Sequence, residues 1–371
     1  MKSKDICQKD YCTGCEACAN VCPHNAITMK ANWQGFKYPH IDQHLCTNCG
    51  LCKKTCPINN PKKTPFEFGV ARAFIEKNYK FLHKASSGGA FGAMARHIIE
   101  QGGVIFGASM DEDYNVNYKT AETVEELDLL YGSKYVQSYV NDAYQQVKKA
   151  LKNGRQVLFC GCPCQVAGLK SFLHKDYENL ITMDLICHGV PSQPYFRSYV
   201  KDLLHKNKKR KTGITTFRFR WKTDSVREAR DSTSVYHGFY SKDYYMTYFL
   251  WGKGYRSSCY RCRFAGEIRQ GDFTVGDFWN NKVAQLPIDD SHGASLILFN
   301  TPKAQALEDV FKKNGTCLPL KSLSDAIAGD GGQLKHPSRY DIRCTLIYLA
   351  YKLLGVAGPK LLFKLDNIRQ R

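Results

Sequence analysis

The sequence predicts a mixed α+β and α/β protein, with a small cysteine-rich module at the N-terminus and a larger α/β body whose sheet is partly parallel. Three observations predict it. Eight cysteines between Cys12 and Cys56 fall into two copies of one spacing. From about Val70 onward, helix-like and strand-like runs alternate. Within that alternation, residues 156–160, 165–174 and 180–186 read as strand, helix and strand with short links. That order gives two parallel strands joined by a right-handed crossover.

The first copy of the spacing is Cys12, Cys15, Cys18 and Cys22 followed by Pro23; the second is Cys46, Cys49, Cys52 and Cys56 followed by Pro57. Each reads C-x2-C-x2-C-x3-C-P, the run found in two-cluster ferredoxins, where the fourth cysteine ligates the other half's cluster. Three thiolates two residues apart wrap one face of a cube, and the fourth points away. Cys12, Cys15, Cys18 and Cys56 are therefore expected to hold one [4Fe–4S] cluster, and Cys46, Cys49, Cys52 and Cys22 the second. Gly14, Ala17, Ala19 and Gly50 are small where the backbone approaches sulfide. Structural zinc is the alternative, but zinc sites use C-x2-C pairs rather than two complete runs of four.

Residues 1–60 form this module, and the polar, proline-rich 59–65 reads as a linker. Beyond it we expect a region at 66–165, a second at 166–320 and a basic helical tail at 321–371. Residues 90–101 read as a helix ended by Gly102-Gly103, with a strand at 104–107. A helix capped by Asn141 or Asp142 runs to Lys152. Another starts near Pro194 and ends in the basic run 205–211. Residues 214–221 alternate as an antiparallel strand with 235–240 as partner, and 303–313 is a helix closed by Gly315. The apolar stretch 340–363 fits a helix packed on its own core better than one lying on a membrane surface.

Composition sets bounds on function. Seventeen cysteines in a 371-residue chain suggest disulfides only in a secreted protein. The start MKSKDICQKD has no apolar signal region, so metal ligation in a reducing cytoplasm is expected. The formal net charge is +19, of which each oxidised cluster would remove roughly two units. A basic surface suits an acidic redox partner. Nucleic acid is not expected, because no recognition motif accompanies the basic runs.

Three stretches outside the module bear on chemistry. Ser86-Ser87-Gly88-Gly89 stands at a helix start, where free N–H groups and two hydroxyls would hold a phosphate; a plain Ser cap is the simpler reading. The loops 161–165 and 187–192 each follow a strand of the parallel pair, so Cys164 and Cys187 emerge at one carboxyl edge, where such sheets bind ligands. Cys259 and Cys262 form a C-x2-C knuckle that aims two sulfurs at one metal. Together Cys164, Cys187, Cys259 and Cys262 make a candidate third site for [4Fe–4S] or zinc, its thiolates stabilised by Arg261 and Arg263. Cys160 and Cys162 are further thiols that offer alternative ligands.

The series KASSGGAFGAM, YGSKYVQS, FCGCPCQVAGL, DLICHGVPS and CYRC followed by GDFTVGDFW resembles the beta subunits of coenzyme F420-reducing hydrogenase and formate dehydrogenase. The likeness runs from Cys12 to about Trp279. It implies an iron–sulfur flavoprotein whose FAD is held at Ser86, Ser87, Gly88 and Gly89, with flavin contacts at Lys134 and His188. The family includes a chlorophyll reductase, and similar proteins lie in surface-polysaccharide gene clusters. Use of coenzyme F420 itself does not follow from the resemblance, and no catalytic residue is assigned.

The function expected is a cytoplasmic oxidoreductase. Electrons would pass between an acidic one-electron carrier such as a ferredoxin, two [4Fe–4S] clusters and FAD, then to or from a substrate in pairs. The alternative is a non-catalytic electron-transfer subunit docked on a larger oxidoreductase.

Overall fold

The computed structural model describes residues 5–61, 70–206, 216–219, 226–230, 235–279, 285–328 and 334–369. The basic run is described only through Lys206, and residues 62–65 of the expected linker and 214–215 and 220–221 of the expected strand lie outside the described residues.

The N-terminal module is two short helices and a hairpin. Helix α1 (Ala17–Val21) is followed by the antiparallel strands β1 (Ile27–Ala31) and β2 (Lys37–Ile41), then by α2 (Leu51–Thr55). Each helix opens on a left-handed residue, Glu16 at φ 64° and Gly50 at φ 76°. Two residues earlier the pair repeats, with Gly14 at φ 68° and Asn48 at φ 55°. The two cysteine loops therefore share one backbone conformation, as their common spacing requires.

The body is one sheet of eight strands. Its elements in chain order are β3 (Ala71–Glu76), α3 (Tyr79–Lys84), α4 (Ala90–Glu100), β4 (Val104–Met110), β5 (Val116–Ala121), α5 (Ala143–Lys152), β6 (Val157–Gly161), α6 (Pro163–Leu173), β7 (Leu180–Leu185) and α7 (Gln193–Lys206). There follow β8 (Thr216–Arg218), β9 (Val226–Arg230), β10 (Val235–Phe239), α8 (Tyr244–Leu250), β11 (Phe273–Asp277), β12 (Ser295–Phe299) and β13 (Gly315–Pro319). The order across the sheet is β13-β3-β12-β11-β7-β6-β4-β5. The pairs β4–β6, β6–β7 and β7–β11 are parallel, and the outer pairs antiparallel. The expected parallel unit is β6–α6–β7, in register from Val157 with Leu180 to Gly161 with Asp184. Buried Leu158, Phe159, Ile181 and Met183 face helices on both sides, as a parallel strand's apolar run requires. A boundary at 165/166 would fall inside α6 and inside this sheet.

Three elements differ from expectation. β10 pairs with β9, not with β8; β9 is the middle of a three-stranded antiparallel sheet, and its sequence VREAR hides it from a search for apolar alternation. Helix α6 begins at Pro163, two residues early, because Pro fits the first helical turn and Gln165 Oε1 accepts from Cys162 N–H at 3.1 Å. The helix expected at 303–313 is two pieces, Pro302–Gln305 and Glu308–Asn314.

The C-terminal stretch folds into the helices Ile342–Leu354 and Ala357–Arg369. Ile347, Tyr348 and Phe363 join the aromatic core of α7 and α8, which is the packing expected of this tail. The opposite faces leave Ile342, Leu349, Leu353 and Leu361 exposed. No described helix is long and apolar enough to cross a membrane.

Candidate functional site

The two cysteine loops meet different surroundings. Cys12, Cys15, Cys18 and Cys56 line one small cavity of about 20 Å³, the grouping expected for the first cluster. Cys7, outside the repeat, lines the same cavity and shares hydrogen bonds with Cys12 and Cys56. Its bond holds the Cys12 thiol at about 6, helped by the Arg256 guanidinium and opposed by burial. Burial pushes Cys15 up to about 12. In the other half Cys49 is exposed, and Cys22, Cys46 and Cys52 are partly covered. The Cys52 thiol is raised by burial and by the neighbouring Cys46 and Cys49, while Cys18, Cys22 and Cys52 all pack against one small apolar core that includes Ile27, Cys56 and Ile58.

The first loop is fastened to the body. Glu16, only 4% exposed, accepts from Asn141 N–H at 2.6 Å. The Cys15 sulfur lies 3.1 Å from where a side-chain carbon on Gly168 would stand, so α6 runs directly against the first cluster's cradle. Cys164 sits one turn earlier on the same helix.

Cys164, Cys187, Cys259 and Cys262 line a second cavity of about 50 Å³. The strand ends bring the first two together as expected, and the short helical turn Ser257–Arg261 delivers the others. Cys162 is a fifth thiol on this wall, its Sγ 3.8 Å from that of Cys187. Burial raises the Cys164, Cys259 and Cys262 thiols. Cys187 is held low by its bond to Cys162, against burial. A metal here would have to displace protons from raised thiols, so affinity would rise with pH. Among the described residues no three Cys, His, Asp or Glu side chains are drawn together as a preformed single-ion shell.

The arginines that act on these thiols are not the expected pair. Arg261 donates to Asp10 at 2.6 Å, and Arg263 donates to the Ile58 carbonyl and covers Tyr11 at 4.6 Å. Both tie the knuckle to the N-terminal module. The charges felt by the thiols come from Arg269, which acts on Cys187 and Cys262, and Arg256, which acts on Cys259. Arg269 is buried against Asp184 at 2.9 Å, and Asp184 also accepts from Gln270 and Gly271 N–H. Nothing in the local sequence marks it, because its partner is 85 residues away.

A third, much larger cavity of about 350 Å³ opens at the carboxyl edge of β4, β6, β7 and β11. Ser86, Ser87, Gly89, Lys134 and His188 all line it. The residue capping α4 is Gly89 in the left-handed region at φ 93°, with no side-chain cap, so the plain Ser-cap reading fails. The helix N-terminus lines the cavity at Gly89, Ala90 and Phe91, where Ala90 N–H donates to Ser295 Oγ at 3.5 Å. Ser86 Oγ accepts from Ser133 N–H, and Ser87 Oγ donates to the Ala294 carbonyl. Gly88 is turned to the sheet: a side-chain carbon there would meet the Phe74 carbonyl at 2.1 Å and Ser295 N at 2.4 Å. Its smallness serves strand packing, not the approach of a phosphate.

Lys134 lines the cavity but donates to the carbonyls of Leu130 and Tyr131 at 2.9 Å. Burial pushes its ammonium down to about 7. Cys160 also faces this cavity, and burial raises its thiol to about 12. The thiol cavity and the large cavity share a wall of Cys162, Gln165, Cys187, His188, Gly189 and Val190. Chain order alone does not show this adjacency.

Residues 11–60 match the 4Fe-4S dicluster domain. Residues 154–324 match the family described as the C terminus of the coenzyme F420 hydrogenase/dehydrogenase beta subunit. No curated protein matches. Among solved structures, a chain of the F420-reducing [NiFe] hydrogenase complex from Methanosarcina barkeri is 16% identical with a TM-score of 0.49, over 74% of this chain and 91% of that one. The chain is thus an iron–sulfur protein with a 4Fe–4S dicluster domain at its N-terminus and, over residues 154–324, a region similar to the C terminus of the coenzyme F420 hydrogenase/dehydrogenase beta subunit.

Proposed function

We propose that the protein is an iron–sulfur flavoprotein oxidoreductase that passes electrons between an external one-electron carrier and a substrate bound in the large cavity. The observation that carries this reading is the chain of adjacent chambers. The first cluster's cradle abuts α6 at Gly168, Cys164 on α6 lines the thiol cavity, and that cavity shares a wall with the large one. Bound clusters would move single electrons, and bound FAD would exchange them in pairs.

The residues present fit those groups. Cys12, Cys15, Cys18 and Cys56 would hold the first cluster, and Cys46, Cys49, Cys52 and Cys22 the second. Cys164, Cys187, Cys259 and Cys262 would hold a third [4Fe–4S] cluster or a zinc ion, with Cys162 as a nearby substitute. The N-terminus of α4, with Ser86, Ser87 and Gly89 beside it, would receive a phosphate of FAD. His188 stands on the wall between the thiol cavity and the large one. Asp184 holds Arg269 beside the thiols, and Lys134 ties down Leu130 and Tyr131 on the wall of the large cavity. The exposed second half suits docking of an acidic ferredoxin on a basic surface. The substrate class, including a role in surface-polysaccharide biosynthesis, rests on the resemblance alone.

The test is reduction of the full-length, anaerobically reconstituted protein by a reduced ferredoxin, followed by flavin absorbance. The wild type should bind FAD and bleach. Cys262→Ser should keep its flavin but bleach far more slowly. Failure to bind FAD, or unchanged bleaching in that variant, would overturn the reading.

A further inference from the structure

Arg256 is fully buried, at 0% exposure, and bridges the body and the N-terminal module. Its own N–H donates to the Val190 carbonyl in the loop after Cys187. Its guanidinium crosses to the first cysteine loop. Nε donates to the Cys12 carbonyl at 2.7 Å, and Nη2 to the Lys37 carbonyl at 2.9 Å. Nη1 donates to Gln137 Oε1 at 3.3 Å, and Nη2 lies 3.7 Å from the Cys12 sulfur. The Tyr38 ring covers the group at 4.1 Å. Gly14 leaves the space for it, since a side-chain carbon there would stand 3.0 Å from Nη1.

Except for the Cys12 sulfur, every acceptor is a neutral carbonyl or amide oxygen. The carboxylate that feels this charge, Glu16, hydrogen-bonds to Asn141 instead. An arginine buried without a counter-charge is strongly unfavourable. The sulfur contact shows where that charge belongs: on the cluster that Cys12 would help to hold. Among the described residues, no arginine donates to Cys22, Cys46, Cys49 or Cys52.

We propose that Arg256 is the buried counter-charge of the first cluster, holding the first cysteine loop on the body and making that cluster the more easily reduced of the two. A [4Fe–4S] unit with four thiolates gains one negative charge on reduction, so a fixed positive charge against it favours the reduced form. The second half has no arginine donating to its cysteines among the described residues, and without that positive charge it keeps the lower potential. Electrons entering there would then run downhill to the cluster beside α6. Arg256 is a positioning residue, and the inference rests on the dicluster assignment of residues 11–60.

The test uses the full-length, cluster-loaded protein. An EPR-monitored redox titration of wild type, Arg256→Lys and Arg256→Gln should show the higher-potential of the two clusters held by residues 11–60 moving down in the Gln variant and less in the Lys variant. The lower-potential cluster should stay in place. Wild-type protein labelled with ¹⁵N only at arginine gives a readout that needs no variant. Pulsed EPR should find a ¹⁵N coupling to the higher-potential cluster and none to the lower. Two reduced-cluster signals with the ¹⁵N coupling absent from the higher-potential one would overturn the assignment of Arg256 while leaving both clusters in place. Equal shifts of both potentials would also overturn it.

Discussion

The two halves of the cysteine repeat have the same spacing and the same left-handed backbone positions, and they have different surroundings. In the first half, Glu16 occupies the left-handed position and its carboxylate reaches Asn141 in the body. In the second, Gly50 occupies that position with no atom within 4 Å of where its side chain would start. The first loop carries Arg256 on one side and α6 on the other; the second leaves Cys49 exposed. Non-glycine residues are costly at positive φ, so Glu16 fits there because its contact offsets the strain. Under the proposed function a symmetrical ligand pattern would act as a one-way device, with the exposed half meeting carriers and the fastened half facing the body.

The sharpest way to break this comparison is to remove the crossed ligand of each half. Cys56→Ala should remove about four iron from the first cluster, and Cys22→Ala about four from the second. The first variant should also lose more stability, by about 1–3 kcal/mol, since Cys56 is buried and Cys22 is not. Iron analysis with EPR, followed by anaerobic thermal melts, checks both expectations. Damage to the same cluster in both variants would end the crossed assignment.

A smaller effect comes from crowding rather than deletion. Gly168→Val would press on the Cys15 sulfur and the Tyr144 hydroxyl, costing about 1–3 kcal/mol and disturbing the first cluster's spectrum. Gly50→Ala has open space and only a strained φ, so it should cost about 1 kcal/mol and leave both spectra unchanged. Denaturant melts and EPR of the two variants make this comparison quantitative.

Lys134 supplies a control outside both halves. Its folded-state value of about 7 lies below the ordinary lysine value, so between pH 7 and 10 the unfolded chain binds the extra proton. Stability should therefore rise with pH across that window. Lys134→Met should flatten the rise by about 1 kcal/mol, since carbonyl hydrogen bonds to the ammonium work against its burial. Urea melts at pH 7 and pH 9 check the sign.

The smallest expected effect is at the outer surface. Lys53 and Lys54 end α2 beside the second half. Lys54→Glu should slow electron exchange with an acidic ferredoxin by about threefold at low salt, and the difference should vanish as ionic strength rises and the screening length falls below about 8–10 Å. Stopped-flow traces at two salt concentrations decide it.

How much of this was legible follows from where each signal lies. The eight cysteines sit within one stretch of chain at fixed spacing, so the dicluster domain read directly from the sequence, and Cys12, Cys15, Cys18 and Cys56 do line one cavity. The β6–α6–β7 unit was equally plain, and it brought Cys164 and Cys187 to one edge before any coordinates. Arg256 was invisible, because it contacts a cysteine loop 244 positions away and no local pattern marks it. Arg261 and Arg263 were misread for the converse reason: they are adjacent to the knuckle in sequence, but their side chains turn to the N-terminal module. Gly88 looked like a phosphate-loop glycine, yet its neighbours are the backbones of β3 and β12, which only the folded sheet brings beside it.

The central claim is that the body holds redox groups of its own, continuous with the inner half of the repeat. Anaerobic purification of the full-length protein, with iron, sulfide, zinc and flavin analysis, tests it most directly. The account predicts about twelve iron and twelve sulfide, four of each per cluster, with one FAD per chain. About eight iron with one zinc and one FAD would keep the thiol site but remove it from the electron path. Eight iron with neither zinc nor flavin would contradict the account.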